Sequence, residues 1–520
     1  MQLTMIRFAA VLTIAVCLLA GPAFPTADAP TTGTATRPDD PELLAPMRVV
    51  QLDNGMTFLL YPVRRAPVFS AIIRFAVGGK DEVSGKTGLA HMFEHMAFKG
   101  TRRIGTRDWE AEKEALENVR HLARRWDQER ERLLRKGLSE EQAKQQHAPL
   151  YERFVQAQKA AGQFVVKDEF EQIYKREGAT GLNAFTSKDE TAYFVSLPAN
   201  RIELWARMES ERLSQPVMRE FYSERDVVRE ERRMSRDNQP VARLWELLMA
   251  TAYTAHPYAF PTIGWEADIR NLNAEDARTF FRTHYTPERA VGTIVGDIDL
   301  DRTETLLRET FGRIPPAAAT HDHIITPEPL QHGERRATLR LDATPTLLMG
   351  WHKPNPPHPA DVHAEVLAQL LTGGRGARLF EQLVKKRKLA AEVSMFSGPG
   401  DAEPNMLLIY ANPQGQTTLD ELEAAVRGEI ARLRSEPVSD DQLQAARKSL
   451  RADTLRAMQD NMGLAMAISK SALVSGDPWY LERRLRQINA VTAEDLQQFA
   501  NNWLVDRNLT VARLDPPEQE

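Results

Sequence analysis

The sequence predicts an α+β fold built as two similar units, and three observations predict it. Period-two apolar stretches that read as strands alternate with long helix-like stretches in both halves of the chain. A Pro-rich break over residues 315–329 separates the halves. A weak internal repeat relates them: Ala274-Glu275-Asp276, Phe280 and a strand ending at Asp297 recur in the same order as Ala493-Glu494-Asp495, Phe499 and a strand over 509–514.

The elements follow in chain order. Arg7, the apolar run 8–20 and the small residues of 21–29 read as a cleavable export signal (1–29), too short for a comfortable membrane span. Residues 30–46 are rich in Pro, Thr and Ala and read as a disordered lead-in. Apolar alternation over 49–60 and 69–77 predicts two strands joined through 62–67, most simply as a hairpin. The stretch 109–174 is heavily charged and nearly free of strand formers. It predicts a helical hairpin broken at Gly137 and restarted by a Ser139/Gln142 capping box, either a solvated arm or a docking or gating surface. Strands are expected at 192–197 and 290–296, then beyond the break at 337–351, 391–396 and 406–410, with a helix over 360–388.

Composition narrows the chemistry. Net charge is −5 with both signs interleaved, which leaves no footprint for nucleic acid. Cys17, the single cysteine, leaves with the signal, so the mature chain has neither a disulfide nor a thiolate. Any metal must be held by His, Asp and Glu. A disulfide-free exported chain fits a bacterial periplasm, or secretion.

The strongest motif is His91-Met92-Phe93-Glu94-His95. On a helix, positions 91, 94 and 95 share one face, so two imidazoles can grip one ion while Glu94 stands beside the attacking water. The flanks Leu89, Met92, Phe93, Met96 and Phe98 are apolar, so the polar trio needs partners.

This motif resembles that of the inverted zinc peptidases, the M16 family of pitrilysin, insulysin and the mitochondrial processing peptidase. The resemblance implies zinc as cofactor and a third ligand in 224–231 (Glu-Arg-Asp-Val-Val-Arg-Glu-Glu). Alignment without gaps gives that role to Glu231, with Glu230 as rival, and makes Glu224 a supporting carboxylate of the catalytic site. The stretch 181–187 resembles the strand that family members lay along a bound peptide, which makes Asn183, Ala184 and Phe185 substrate-binding. The implied fold is two homologous domains, 47–314 (with an insertion at 109–174) and 337–515, joined by a linker at 315–336. Each is a mostly antiparallel sheet with helices packed on one face, and together they form half of a clamshell. The implied activity is metalloendopeptidase cleavage of unstructured peptides.

Two departures accompany the resemblance. His95 and Glu231 lie farther apart in sequence than is usual, the excess falling in 109–174. Active relatives carry an Arg and a Tyr seven residues apart in the C-terminal half, where this chain has Val384 and Ala391, with Arg387 nearby. Neither Val384 nor Ala391 can donate a side-chain hydrogen bond to a developing oxyanion. The expected partner is therefore a homologous subunit that supplies the pair, in a heterodimer, or failing that a homodimer. Rival readings are a non-enzymatic scaffold or chaperone-like subunit, and a hydrolase of another peptide-like amide.

Overall fold

The computed structural model of the chain describes residues 43–317 and 325–518. The expected signal, the lead-in as far as residue 42 and part of the expected linker lie outside the described residues. No helix among the described residues is long and apolar enough to cross a membrane.

Two sheets organise the chain. The first comprises β1 (Arg48–Gln51), β2 (Thr57–Pro62), β3 (Val68–Phe75), β4 (Thr180–Thr186), β5 (Thr191–Pro198) and β6 (Ala290–Gly296). The second comprises β7 (Arg335–Arg340), β8 (Thr346–Lys353), β9 (Ala390–Gly398), β10 (Asn405–Pro413) and β11 (Leu509–Asp515). Their spatial orders are β1-β2-β6-β3-β5-β4 and β7-β11-β8-β10-β9. Each sheet has one parallel pair, β2 with β6 and β7 with β11, and is otherwise antiparallel. Strand for strand, β2-β6-β3-β5-β4 repeats as β7-β11-β8-β10-β9. The repeat read from the sequence marks one edge of this duplication: helix Ala274–His284 leads to β6 and helix Ala493–Trp503 leads to β11, each opened by a capping box.

The expected hairpin between 49–60 and 69–77 does not form. The first stretch folds on itself as β1 and β2 around Asn54-Gly55, and β6 inserts between β2 and β3. The reason is tertiary. β6 is almost wholly buried, and Gly292 lets the Phe58 ring lie against its backbone, where a Cβ would come within 2.2 Å of that ring.

Alternation assigns the faces. Ala71 and Ile73 of β3 join the core with helices of their own half, whereas Ile72 faces the opposite side and meets Ala465. Ala465 belongs to helix Asn461–Ser475, contributed by the other half of the chain. The exchange is mutual: Leu244, Leu248 and Met249 of helix Pro240–Ala252 pack on Leu348, Leu408 and Leu514 of the second sheet. Each sheet thus has its own helices on one face and a helix donated by the other half on the other.

The stretch expected to form a helical arm contains Trp109–Leu134, Glu140–Gln146, Ala148–Gly162 and Glu169–Arg176, with the Ser139/Gln142 capping box in place. It is not solvated all round. Val119, Leu122 and Trp126 join the first core, and buried Glu112 grips Arg219 through both oxygens at 2.5 and 2.8 Å.

Candidate metal centre

The motif helix, Leu89–Met96, follows a loop that forces its start. Gly88 adopts φ +91°, and a Cβ there would lie 2.6 Å from the Ile263 carbonyl oxygen, so no side chain is tolerated at the position that would normally cap the helix. Glu82 takes over the capping. Its carboxylate accepts from Gly88 N–H at 2.7 Å and Ala90 N–H at 2.8 Å, orienting the first turn. Burial pushes Glu82 up to about 8, against the pull of those two N–H groups and of Lys188. Met92, Phe93 and Met96 lock the buried side of the helix, with Phe93 stacked on Phe281 at 4.7 Å.

His91, Glu94 and His95 emerge on the other side. Helix Phe221–Arg232 brings Glu231 against them: His91 Nε2 lies 3.6 Å from Glu231 Oε1, and His95 Nε2 lies 3.5 Å from Glu231 Oε2. One atom from each of the three groups falls within 4.8 Å of the others, and no other such cluster of His, Cys, Asp and Glu occurs among the described residues. The spacing is informative. A charged hydrogen bond would close to about 2.7–2.9 Å, whereas ligands about 2.0–2.2 Å from a shared tetrahedral zinc stand about 3.3–3.5 Å apart. The donor set of two imidazoles and one carboxylate therefore fits a divalent zinc ion and leaves a coordination position open.

Supporting groups orient this set. Glu224, two turns before Glu231, lies 3.4 Å from His95 Nδ1 through Oε2, and its other oxygen pairs with Lys99 Nζ. Glu230 turns away to Arg233. Thr186 at the end of β4 donates to Glu94 Oε2 at 2.6 Å, leaving Oε1 for other partners. Electrostatics separate the two imidazoles. Burial holds His91 down to about 4, ready to ligate as the neutral ring. Burial also acts to lower His95, but the carboxylates of Glu224 and Glu231 outweigh it and raise the ring to about 9, so a metal must displace a proton there. Burial raises Glu94, while the Thr186 hydroxyl favours its ionised form.

β4 is the edge of the first sheet and lies beside the motif helix. Asn183 is exposed and Ala184 buried. The Ala184 N–H donates to the Asn183 side-chain oxygen at 2.9 Å. Val384 packs on the second core within a π-helical turn, Phe380–Lys386, and Ala391 is exposed on β9. Thr186, Lys99 and Glu82 contact the candidate site or its helix without being among the site residues predicted from the sequence. The only signal for them was their closeness in sequence to the motif and to the β4 stretch.

Comparison with known proteins identifies the family of the chain. Residues 161–265 match the family described as insulinase (peptidase family M16), and residues 271–450 match the peptidase M16 inactive domain. The chain belongs to the M16 peptidase family. Its motif helix precedes the matched ranges, across the helical arm. Among M16 relatives, the zinc protease PqqE of Helicobacter pylori is 25% identical over 475 residues, 90% of this chain and 92% of that one. The beta subunit of the mitochondrial-processing peptidase of Blastocladiella emersonii is 22% identical, over 91% of this chain and 89% of that one. Among solved structures, a protease from Helicobacter pylori superposes with TM-score 0.74 at 24% identity, covering 90% of this chain and 99% of the other. The periplasmic protease PqqL from Escherichia coli superposes with TM-score 0.65 at 16% identity, over 90% of this chain but 47% of its own length.

Proposed function

We propose that this M16 chain is an exported zinc-dependent endopeptidase that hydrolyses unstructured peptides, with His91, His95 and Glu231 as metal ligands. The observation that carries the reading is the convergence of two imidazole Nε2 atoms and the Glu231 carboxylate at metal-sharing distances, with Glu94 on the same helical face. When bound, zinc supplies a Lewis acid that acidifies water and polarises a carbonyl. Glu94 takes the proton from the attacking water on Oε1 while Thr186 holds Oε2, and then delivers it to the departing amine. Burial suits Glu94 to this work by making its carboxylate a stronger base than an exposed one. Glu224 orients His95. Asn183, Ala184 and Phe185 on the free edge of β4 pair with an extended peptide backbone, which selects for unfolded chain rather than for a particular sequence.

In this reading residues 47–314 form the zinc-bearing domain, 315–336 the linker and 337–515 the second domain. A homologous partner supplies what Val384 and Ala391 cannot. The exposed Arg387, which makes no side-chain hydrogen bond or ion pair among the described residues, stays outside the chemistry. Pairing is supported by PqqL, one chain of which has length for two copies of this fold. The non-enzymatic reading rests on the same two positions.

The test is cleavage of a quenched unstructured peptide by the zinc-loaded mature chain, alone and with a co-purified homologous subunit, beside Glu94→Gln. Activity that needs the partner and is lost in Glu94→Gln supports the full reading. Activity of the chain alone removes the partner from it, and zinc binding without cleavage under either condition leaves the scaffold reading standing.

A further inference from the structure

Behind the metal centre, a cavity of about 460 Å³ opens between the helical arm and the helices Phe221–Arg232 and Ala274–His284. That volume lies within the range of small-molecule sites. Its apolar walls include Trp109, Leu116 and Val119 from the arm, with Phe221 and Phe281 opposite.

The charges around it do not balance. Six cationic side chains line the space (Arg102, Lys113, Arg120, Arg219, Arg278 and Arg282) against three carboxylates, those of Glu112, Glu117 and Glu220. Those carboxylates are already engaged. Glu112 is held by Arg219 through both oxygens, Glu117 by Arg120, and Glu220 by Lys99 at 3.7 Å. The other cations have fewer or more distant carboxylates. Arg102 lies over the Trp109 ring at 5.7 Å and has no ion pair among the described residues, Lys113 reaches Glu110 only at 4.0 Å, and Arg278 and Arg282 share one carboxylate, Glu275, at 3.5 Å each. Arg120 buries its Nε with no hydrogen-bond partner. Burial, and then the charge of Arg278, lowers Arg120.

We propose that this cavity is a binding site for an organic anion, a carboxylate or similar acid group attached to a flat apolar body. The acid would engage the Arg120 and Arg278 guanidiniums, whose planar forks suit such groups, and the body would lie among Trp109, Leu116 and Phe281. A bare inorganic anion would leave the apolar walls uncovered, and a neutral aromatic molecule would leave the cations uncompensated. The site is distinct from the peptide edge and the metal ligands and does not depend on the proposed peptidase activity. Its walls nevertheless reach them: Phe281 stacks on Phe93 of the motif helix, and Glu220 shares Lys99 with Glu224.

The experiment is isothermal titration of the intact mature protein with naphthaleneacetate, with the uncharged naphthaleneacetamide and with inorganic phosphate. The expected result is one site for naphthaleneacetate, with the amide and phosphate each at least about tenfold weaker. The double variant Arg120→Gln/Arg278→Gln is expected to weaken the acid by a similar factor and leave the amide unchanged. Leu116→Trp, which fills the cavity and keeps every charge, should abolish binding and serves if the arginine variant fails to fold. Equal affinity for acid and amide, equal affinity for phosphate, wild-type affinity in Leu116→Trp, or no binding at millimolar probe would overturn the proposal.

Discussion

At the scale of single residues, the proposed metal centre leans on groups that would not themselves touch the metal. Glu224 holds His95 by its Nδ1 side and is itself fixed by Lys99, so Glu224→Gln is expected to weaken zinc binding by about 10–100-fold. Competition with a chromogenic chelator measures this, and an unchanged affinity would show that His95 is oriented by packing alone. Thr186→Val removes the hydroxyl that fixes Glu94 and favours its ionised form. Peptide cleavage should lose kcat by about tenfold or more with little change in KM or zinc content, the pattern of an interaction used in the transition state. Equal kcat in wild type and variant would assign Thr186 to the strand only.

At the scale of elements, the loop ahead of the motif helix carries a buried charge cluster with its own pH signature. Asp81 lies 2.6 Å from Arg289 and 3.8 Å from Lys80, and its Oδ2 accepts from Gly78 N–H at 2.9 Å. Burial alone would raise Asp81, but the two cations and the N–H reverse the effect and hold it well below the usual carboxylate range. A depressed pKa contributes stability above the unfolded value, near pH 4, that is lost as pH falls through the folded value. Asp81→Asn is therefore expected to cost about 3–5 kcal/mol at pH 7, where it leaves buried cations uncompensated, and less as pH falls below about 4. Denaturant titrations at pH 7 and pH 3 check this, and an equal loss at both would mean that shape rather than charge is what matters. Glu403, on the β9–β10 connection, has the opposite sign. Burial pushes it up to about 7 despite Lys80, so the folded chain takes up a proton there and stability falls as pH rises from about 4.5 to 7. Glu403→Gln should raise Tm at pH 8 and change it little at pH 5.

At the scale of the whole molecule, the two halves are bound together by exchange. Helix Pro240–Ala252 belongs to the first half yet covers the second sheet, and helix Asn461–Ser475 of the second half covers the first. Arg74 of β3 reaches into the donated helix, bonding Ser469 Oγ at 2.7 Å, and pairs with Glu190 at 2.5 Å. Asp189, in the β4–β5 turn, accepts from the Tyr258 hydroxyl at 2.6 Å and from Ala402 N–H at 3.1 Å, so the hairpin beside Glu94 is anchored on the other half. Neither half can shed its donated helix without exposing a sheet face, so the chain should unfold in one calorimetric transition. Leu248→Ala, at a site with no exposure, should lower that single transition by about 2–5 kcal/mol rather than split it. Two resolved transitions would contradict the exchange as a source of cooperativity.

Local pattern in the chain points to the candidate chemistry and to most of the local elements. Positions 91, 94 and 95 share a face by helical spacing alone, and Ser139/Gln142 marks a helix start wherever the chain goes. Pattern also located most strands, because period-two burial is written in adjacent residues. Partnership was not written there. The hairpin expected from neighbouring strands gave way to β6, since a central strand is chosen by burial and by the fit of Phe58 over Gly292. The exchanged helices look like ordinary amphipathic helices in sequence, and nothing local says which sheet they cover. The arm looked wet because its charges are many, and only the fold buries Glu112 against Arg219. The same holds at the centre: bringing Glu231 to 3.5 Å from His95 takes two helices separated by the whole arm, and that distance is set by packing rather than by any spacing along the chain.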